Sequence, residues 1–240
     1  MTCAGLLLPV ALKDGLPVLI SEIPAEDIGK NCGCVCPNCG GPLIAKAGPF
    51  RQHHFAHVNV DCSYHSRDAT RIGLIHIAES ILRQEMKLRL PGYSVSDDRV
   101  ESFRDDPEIY FELIHRFQAS RPEMATFDEV RLERESTDMD PILVVETASG
   151  RIAVDIVINR RICCRLPDLP ANERWAMVEI DLGRAGYSDR MDRNRLRTLL
   201  IHDTRYKRWL HHPRHDTALC ELIQANDSLV QEVMGRRKAP

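Results

Sequence analysis

Eight residues able to bind a soft metal fall between positions 32 and 62: Cys32, Cys34, Cys36, Cys39, His53, His54, His57 and Cys62. Cys36-Pro37-Asn38-Cys39 has the form of a zinc knuckle, two thiolates two residues apart on a tight turn whose amides face the sulfurs. A tetrahedral structural site needs a second pair of soft ligands downstream. His57 with Cys62 is the better pair, and His54 is the competitor for one position. Phe55 would pack under such a site and keep water from it. Cys32 and Cys34 read best as small residues in a glycine-rich approach, with alternate ligands or a second site as the other readings. A fully ligated zinc supplies folding energy and performs no chemistry. The histidines also lack the helical Glu-x-x-His arrangement of zinc hydrolases.

Hard-metal chemistry has a separate candidate. Residues 141–147 and 151–158 read as the two arms of a β-hairpin turning at Ala148-Ser149-Gly150. A turn centred near Ser149 pairs residues whose numbers add to about 298, so Asp155 faces Leu143 and Asp140 faces Ile158. A carboxylate between Val154 and Ile156 is costly to bury unless a cation or donors satisfy it. Two converging carboxylates can hold Mg²⁺ or Mn²⁺, and such an ion orients and deprotonates the water that attacks a phosphodiester. Glu179 and Asp181, on one face of a strand over 175–182, offer a rival register in which Asp155 joins Glu179-x-Asp181. The plainer alternative is that these acids are bonded to arginines.

The elements that must position these groups can be read coarsely. Apolar runs at 6–12 and 16–23 around Lys13-Asp14-Gly15 predict an N-terminal hairpin. Ile75, Ala78, Leu82 and Met86 predict a helix within 72–90, stopped by Pro91-Gly92. Ile109–Gln118 and Val130–Glu135 look strand-like, and Arg193–Trp209 looks helical. These elements divide as 1–68, hairpin plus zinc module, and 69–240, a second domain.

Charge is segregated. The chain has 240 residues and a net charge of -3, yet residues 97–146 hold fifteen carboxylates against six arginines. Residues 184–214 reverse this, with nine Lys or Arg against three Asp. Arg193, Arg197, Lys207 and Arg208 are the candidates there for phosphate contact, which would give salt-dependent, sequence-independent affinity. A solvated helix face is the competing reading. Trp175 and Trp209 could stack on bases, but a lone Trp beside Leu210 is more often a core residue. An apolar content of 43% excludes a disordered chain, and no stretch approaches the ~20 apolar residues of a membrane helix. Nine cysteines, an odd number without an export signal, favour metal thiolates over disulfides and a cytoplasmic setting.

The order Leu8-Pro9-Val10-Ala11-Leu12, then residues 32–46, His53-His54-Phe55-Ala56-His57 and Cys62 resembles the N-terminal zinc region of competence protein CoiA-like proteins. His76 matches a histidine of that family, and Met139-Asp140-Pro141, Val154-Asp155-Ile156-Val157, Val178–Leu182 and Trp209-Leu210 follow in the family's order. The resemblance implies an α+β or α/β protein: the zinc-ribbon module, then a mixed-sheet, restriction-endonuclease-like domain of PD-(D/E)XK type flanked by helices. It implies Asp140 and Asp155 as motif acids, Glu133 as an upstream acid, and DNA as the partner, with RNA left open. The motif lysine is missing: Val157 stands two residues past Asp155 and Asp181 two past Glu179. Three expectations follow: a metal-dependent nuclease, a nuclease fold that binds nucleic acid without cutting it, or a protein-interaction adaptor.

Overall fold

A computed structural model describes residues 7–50, 52–58, 66–133, 141–158 and 175–238. The N-terminal hairpin pairs β1 (Val10–Lys13) with β2 (Leu16–Leu19), and β1 also pairs with the short β3 (Cys34–Val35). Asp14 and Gly15 turn it with positive φ, as the Lys13-Asp14-Gly15 chemistry predicts. A second small ladder joins β4 (Leu43–Lys46) to β5 (His54–His57). Leu8, Ala11, Ile20, Cys32, Cys34, Cys36, Leu43 and Phe55 share one small core between these strands.

Helix α1 (Ser66–Glu85) follows, then β6 (Lys87–Leu90) and β7 (Tyr93–Val95). The expected helix over 72–90 is thus shifted towards the N-terminus. It stops at Met86, whose φ of 49° breaks the helical repeat, and Lys87–Leu90 leaves as a strand. Next come α2 (Pro107–Glu112), β8 (Phe117–Ser120), β9 (Glu123–Thr126) and β10 (Glu129–Glu133). The strand expected over Ile109–Gln118 is therefore a short helix followed by a strand. Asp106 caps the helix by accepting from the Ile109 amide, and Pro107 opens it, a start signal stronger than the apolar run.

The main sheet runs β10, β11 (Ile142–Thr147), β12 (Gly150–Val157), β13 (Trp175–Asp181) and β14 (Lys207–His211). It is mixed: β12 and β13 are parallel and the other pairs antiparallel. Between β13 and β14 lie α3 (Tyr187–Arg190) and α4 (Arg193–Ile201), and α5 (His215–Lys238) closes the chain. The helix expected over Arg193–Trp209 ends at Ile201. Asp203 accepts from the Arg205 amide, which makes a turn, and Lys207 then enters the sheet.

Helix α1 lays Leu74, Ile75, Ala78, Ile81 and Leu82 against Leu143, Val145, Val154, Ile156, Val178 and Ile180. Each such fully buried Leu or Ile contributes about 1.5–3 kcal/mol. The helix also seats on the N-terminal hairpin: a Cβ at Gly73 would lie 2.7 Å from Val10 Cβ. Gly73→Ala therefore forces helix and hairpin apart. Urea denaturation should show it destabilised by roughly 1–3 kcal/mol despite alanine's better helix propensity.

Candidate metal centre and acid face

The knuckle forms because Gly40, at φ 69°, lets the chain double back after β3. The Cys36 amide donates to Gly41 O at 2.8 Å and the Gly40 amide to Cys36 O at 3.0 Å. The Gly41 amide faces Cys39 Sγ at 3.4 Å, and the amides of Asn38 and Cys39 face the Cys36 sulfur. Strand β5 brings His57 alongside, in register with Leu43. His57 Nε2 lies 3.4 Å from Cys39 Sγ, and the ligand atoms of Cys36, Cys39 and His57 all fall within 4.8 Å of one another. Two thiols and an imidazole converging on one point fit zinc. Burial pushes the metal-free Cys36 thiol up to about 11, so zinc binding there must release a proton.

Phe55 is 2% exposed in the same small core as Cys36. His54 does not join the group: β5 alternates it away from Phe55 and His57, and its Nδ1–H donates to Gln52 O. Cys62 lies outside the described residues. Cys32 Sγ donates to Leu43 O and Cys34 Sγ to Cys32 O, both at 3.3 Å. Burial pushes the Cys34 thiol up to about 12, an inert core group.

The hairpin of β11 and β12 turns on Ala148-Ser149, pairing Thr147 with Gly150 and Leu143 with Val154. This is one residue off the expected pairing of Leu143 with Asp155. A slip of one flips a side chain to the other face. Asp155 consequently shares a face with Ala153 and Met177 and no longer lies opposite Leu143. On that face the parallel ladder sets Asp155 directly beside Glu179, with Asp181 two residues further along and opposite Val157. Asp140 lies outside the described residues. Glu133 ends β10 opposite Ile142, two strands from β12 and so about 10 Å away in backbone terms.

All three acids are buried, Asp155 at 2% exposure and Glu179 and Asp181 at 6% each. Each has a partner. Arg71, from the first turns of α1, donates Nη2 to Asp155 Oδ1 and Nε to Ile156 O, both at 2.8 Å. Arg208 on β14 grips Glu179 with two parallel bonds, Nε to Oε1 at 2.6 Å and Nη2 to Oε2 at 2.8 Å. Asp181 accepts from the Gly183 amide at 3.0 Å and so caps the turn leaving β13. Gly183 is required there, since a Cβ would stand 1.7 Å from Ile158 O. The donor atoms are the hard oxygens Mg²⁺ takes, but guanidinium groups occupy one oxygen of Asp155 and both of Glu179. Among the described residues no three carboxylates converge within ligand distance.

The basic candidates are also engaged. Arg193 donates to Glu22 Oε1 at 2.5 Å and to Pro17 O at 2.9 Å, tying α4 to the N-terminal module. Arg197 pairs with Glu85. Lys207 is buried and donates Nζ to Arg89 O at 2.9 Å, and burial pulls its ammonium down to about 7. Trp209 donates Nε1 to Pro91 O and packs on the main core, the structural reading of that residue. The sequence reading missed Arg71; an arginine directly before the apolar stripe of α1 is its one signal.

Residues 21–65 match the family model described as Competence protein CoiA, N-terminal domain. The matched stretch spans the knuckle, the β4–β5 ladder and His57. No curated protein and no solved structure matches the chain. No helix among the described residues is long and apolar enough to cross a membrane.

Proposed function

We propose that this chain, a CoiA family protein by its N-terminal domain, is a nuclease-like protein that binds DNA without cutting it. The observation that supports this is the closure of the acid face: Arg71 neutralises Asp155 and Arg208 neutralises Glu179, where a phosphodiesterase would hold Mg²⁺ or Mn²⁺. Asp181 at the lysine position adds to it, because an anion there repels the phosphate that a lysine would attract.

Binding is left to the basic segment. The Arg197 and Arg208 side chains are each 53% exposed. Arg208 holds Glu179 through Nε and one terminal nitrogen, so the rest of its fork can meet a phosphate without breaking the pair. The Arg197 end of the Arg197–Glu85 pair is open to solvent, which screens the pair, so a phosphate can compete for the guanidinium.

The second reading is an active metal-dependent nuclease. The lateral pairing of Asp155 with Glu179 on neighbouring parallel strands is what favours it. One pair of assays separates them. Fluorescence anisotropy with labelled DNA should show binding that weakens steeply with salt, is unchanged by Mg²⁺ chelation that leaves zinc in place, and loses about one unit of salt slope in Arg197→Ala. Incubation of plasmid and single-stranded DNA with Mg²⁺ or Mn²⁺ should leave both intact. Cleavage that disappears in Asp155→Asn would overturn the proposal in favour of the nuclease. Absence of nucleic-acid affinity at low salt would overturn it in favour of a protein adaptor.

A further inference from the structure

The loop from β4 to β5 carries Phe50 at its tip, 96% exposed. A phenyl ring so placed contributes nothing to the core, and the fold does not require it. Beside it Ile28, Lys46, Pro49, Gln52 and His54 line an open hollow of about 460 Å³. Ile28 is itself 38% exposed, so the hollow has an apolar floor and a polar rim. Because His54 Nδ1–H is committed to Gln52 O, its Nε2 is left as an acceptor in the neutral ring. Along the chain from residue 28 to residue 60 the charge has one sign. Between Asp27 and Asp61 the sequence contains no acid, while it contains Lys30, Lys46 and Arg51. Asp27 itself is held by Lys13 at 2.7 Å.

We propose that this hairpin tip is a single-strand nucleic-acid contact: an unpaired base stacks on Phe50 and Lys46 meets the adjoining phosphate. The proposal rests on the reading of the chain as a nucleic-acid binder and adds where and in what form the strand is held. An exposed aromatic ring next to cations suits unpaired bases, whose faces are accessible, and duplex bases are not. The ladder fixes the loop's base, with Lys46 paired to His54. The absence of acids from the stretch 28–60 argues against a basic protein partner.

Phe50→Ala tests this with wild-type folding intact, since the ring touches no core and the melting temperature should not move. Anisotropy with a labelled oligothymidylate should show affinity reduced about 5- to 150-fold, the equivalent of one stacked base. Affinity for a blunt duplex should change much less. In Phe50→Trp, oligothymidylate should quench an added fluorescence component that duplex leaves alone. Wild type that binds DNA, with Phe50→Ala binding the single strand equally well, overturns the stacking site and leaves the binding function standing. Wild type that binds neither form overturns both.

Discussion

Cys36→Ser is expected to abolish zinc binding and unfold the N-terminal module. The knuckle sulfur lies in a core built from small and few residues, so the module depends on its metal more than a larger domain would. Structural zinc in isolated fingers is worth roughly 10–16 kcal/mol. Less should be lost in this chain, because Arg193–Glu22, Ser21–Met191 and Tyr187–His53 bonds also dock the module on the rest of the protein. Elemental analysis should find zinc in wild type and none in Cys36→Ser, with new protease cuts confined to the module. Cys32→Ser and Cys34→Ser should keep their zinc, since those thiols serve the core. Zinc should also leave as pH falls, because protons compete for the thiolates. Full zinc content in Cys36→Ser would refute the assignment.

Arg71→Ala should destabilise the chain by about 3–5 kcal/mol, the cost of leaving a buried carboxylate without its cation. Two bonds vanish together, to Asp155 Oδ1 and to Ile156 O, so both a charge and a main-chain acceptor are stranded. Asp155→Asn should cost less, because the amide oxygen still accepts from Arg71. A paired apolar replacement, Arg71→Met with Asp155→Leu, should recover most of the loss, as buried ion pairs are worth little against well-packed side chains. Chemical denaturation of the three variants measures this directly. A loss below about 1 kcal/mol in Arg71→Ala would mean that water already reaches the pair.

How much of the fold and site is legible in the sequence depends on whether the deciding contact is local. The knuckle and His57 are readable because Cys-x-x-Cys and a histidine one strand away carry their geometry in spacing. The strands around Val145, Val154 and Val178 are readable because a buried strand is an apolar run. The register of Asp155 is not: a two-residue turn and a three-residue turn differ by one position, and that difference decides which face the acid occupies. Nor are the partners of the acids. Arg71 precedes Asp155 by 84 residues and Arg208 follows Glu179 by 29. Nothing in the local pattern announces such pairings, and the same acids with water in place of guanidinium would read identically. The helix at Pro107–Glu112 escapes for the opposite reason, since its Asp106-Pro107 start is present and the apolar run outweighs it.

The most direct test of the closed acid face is electron paramagnetic resonance of Mn²⁺ titrated into zinc-loaded protein. Arginine-held carboxylates predict that the six-line spectrum of free Mn²⁺ keeps its full intensity in the presence of wild type. A spectrum depleted by wild type but restored in Asp155→Asn and Glu179→Gln would show that the acids grip a divalent ion, and would contradict a face closed by Arg71 and Arg208.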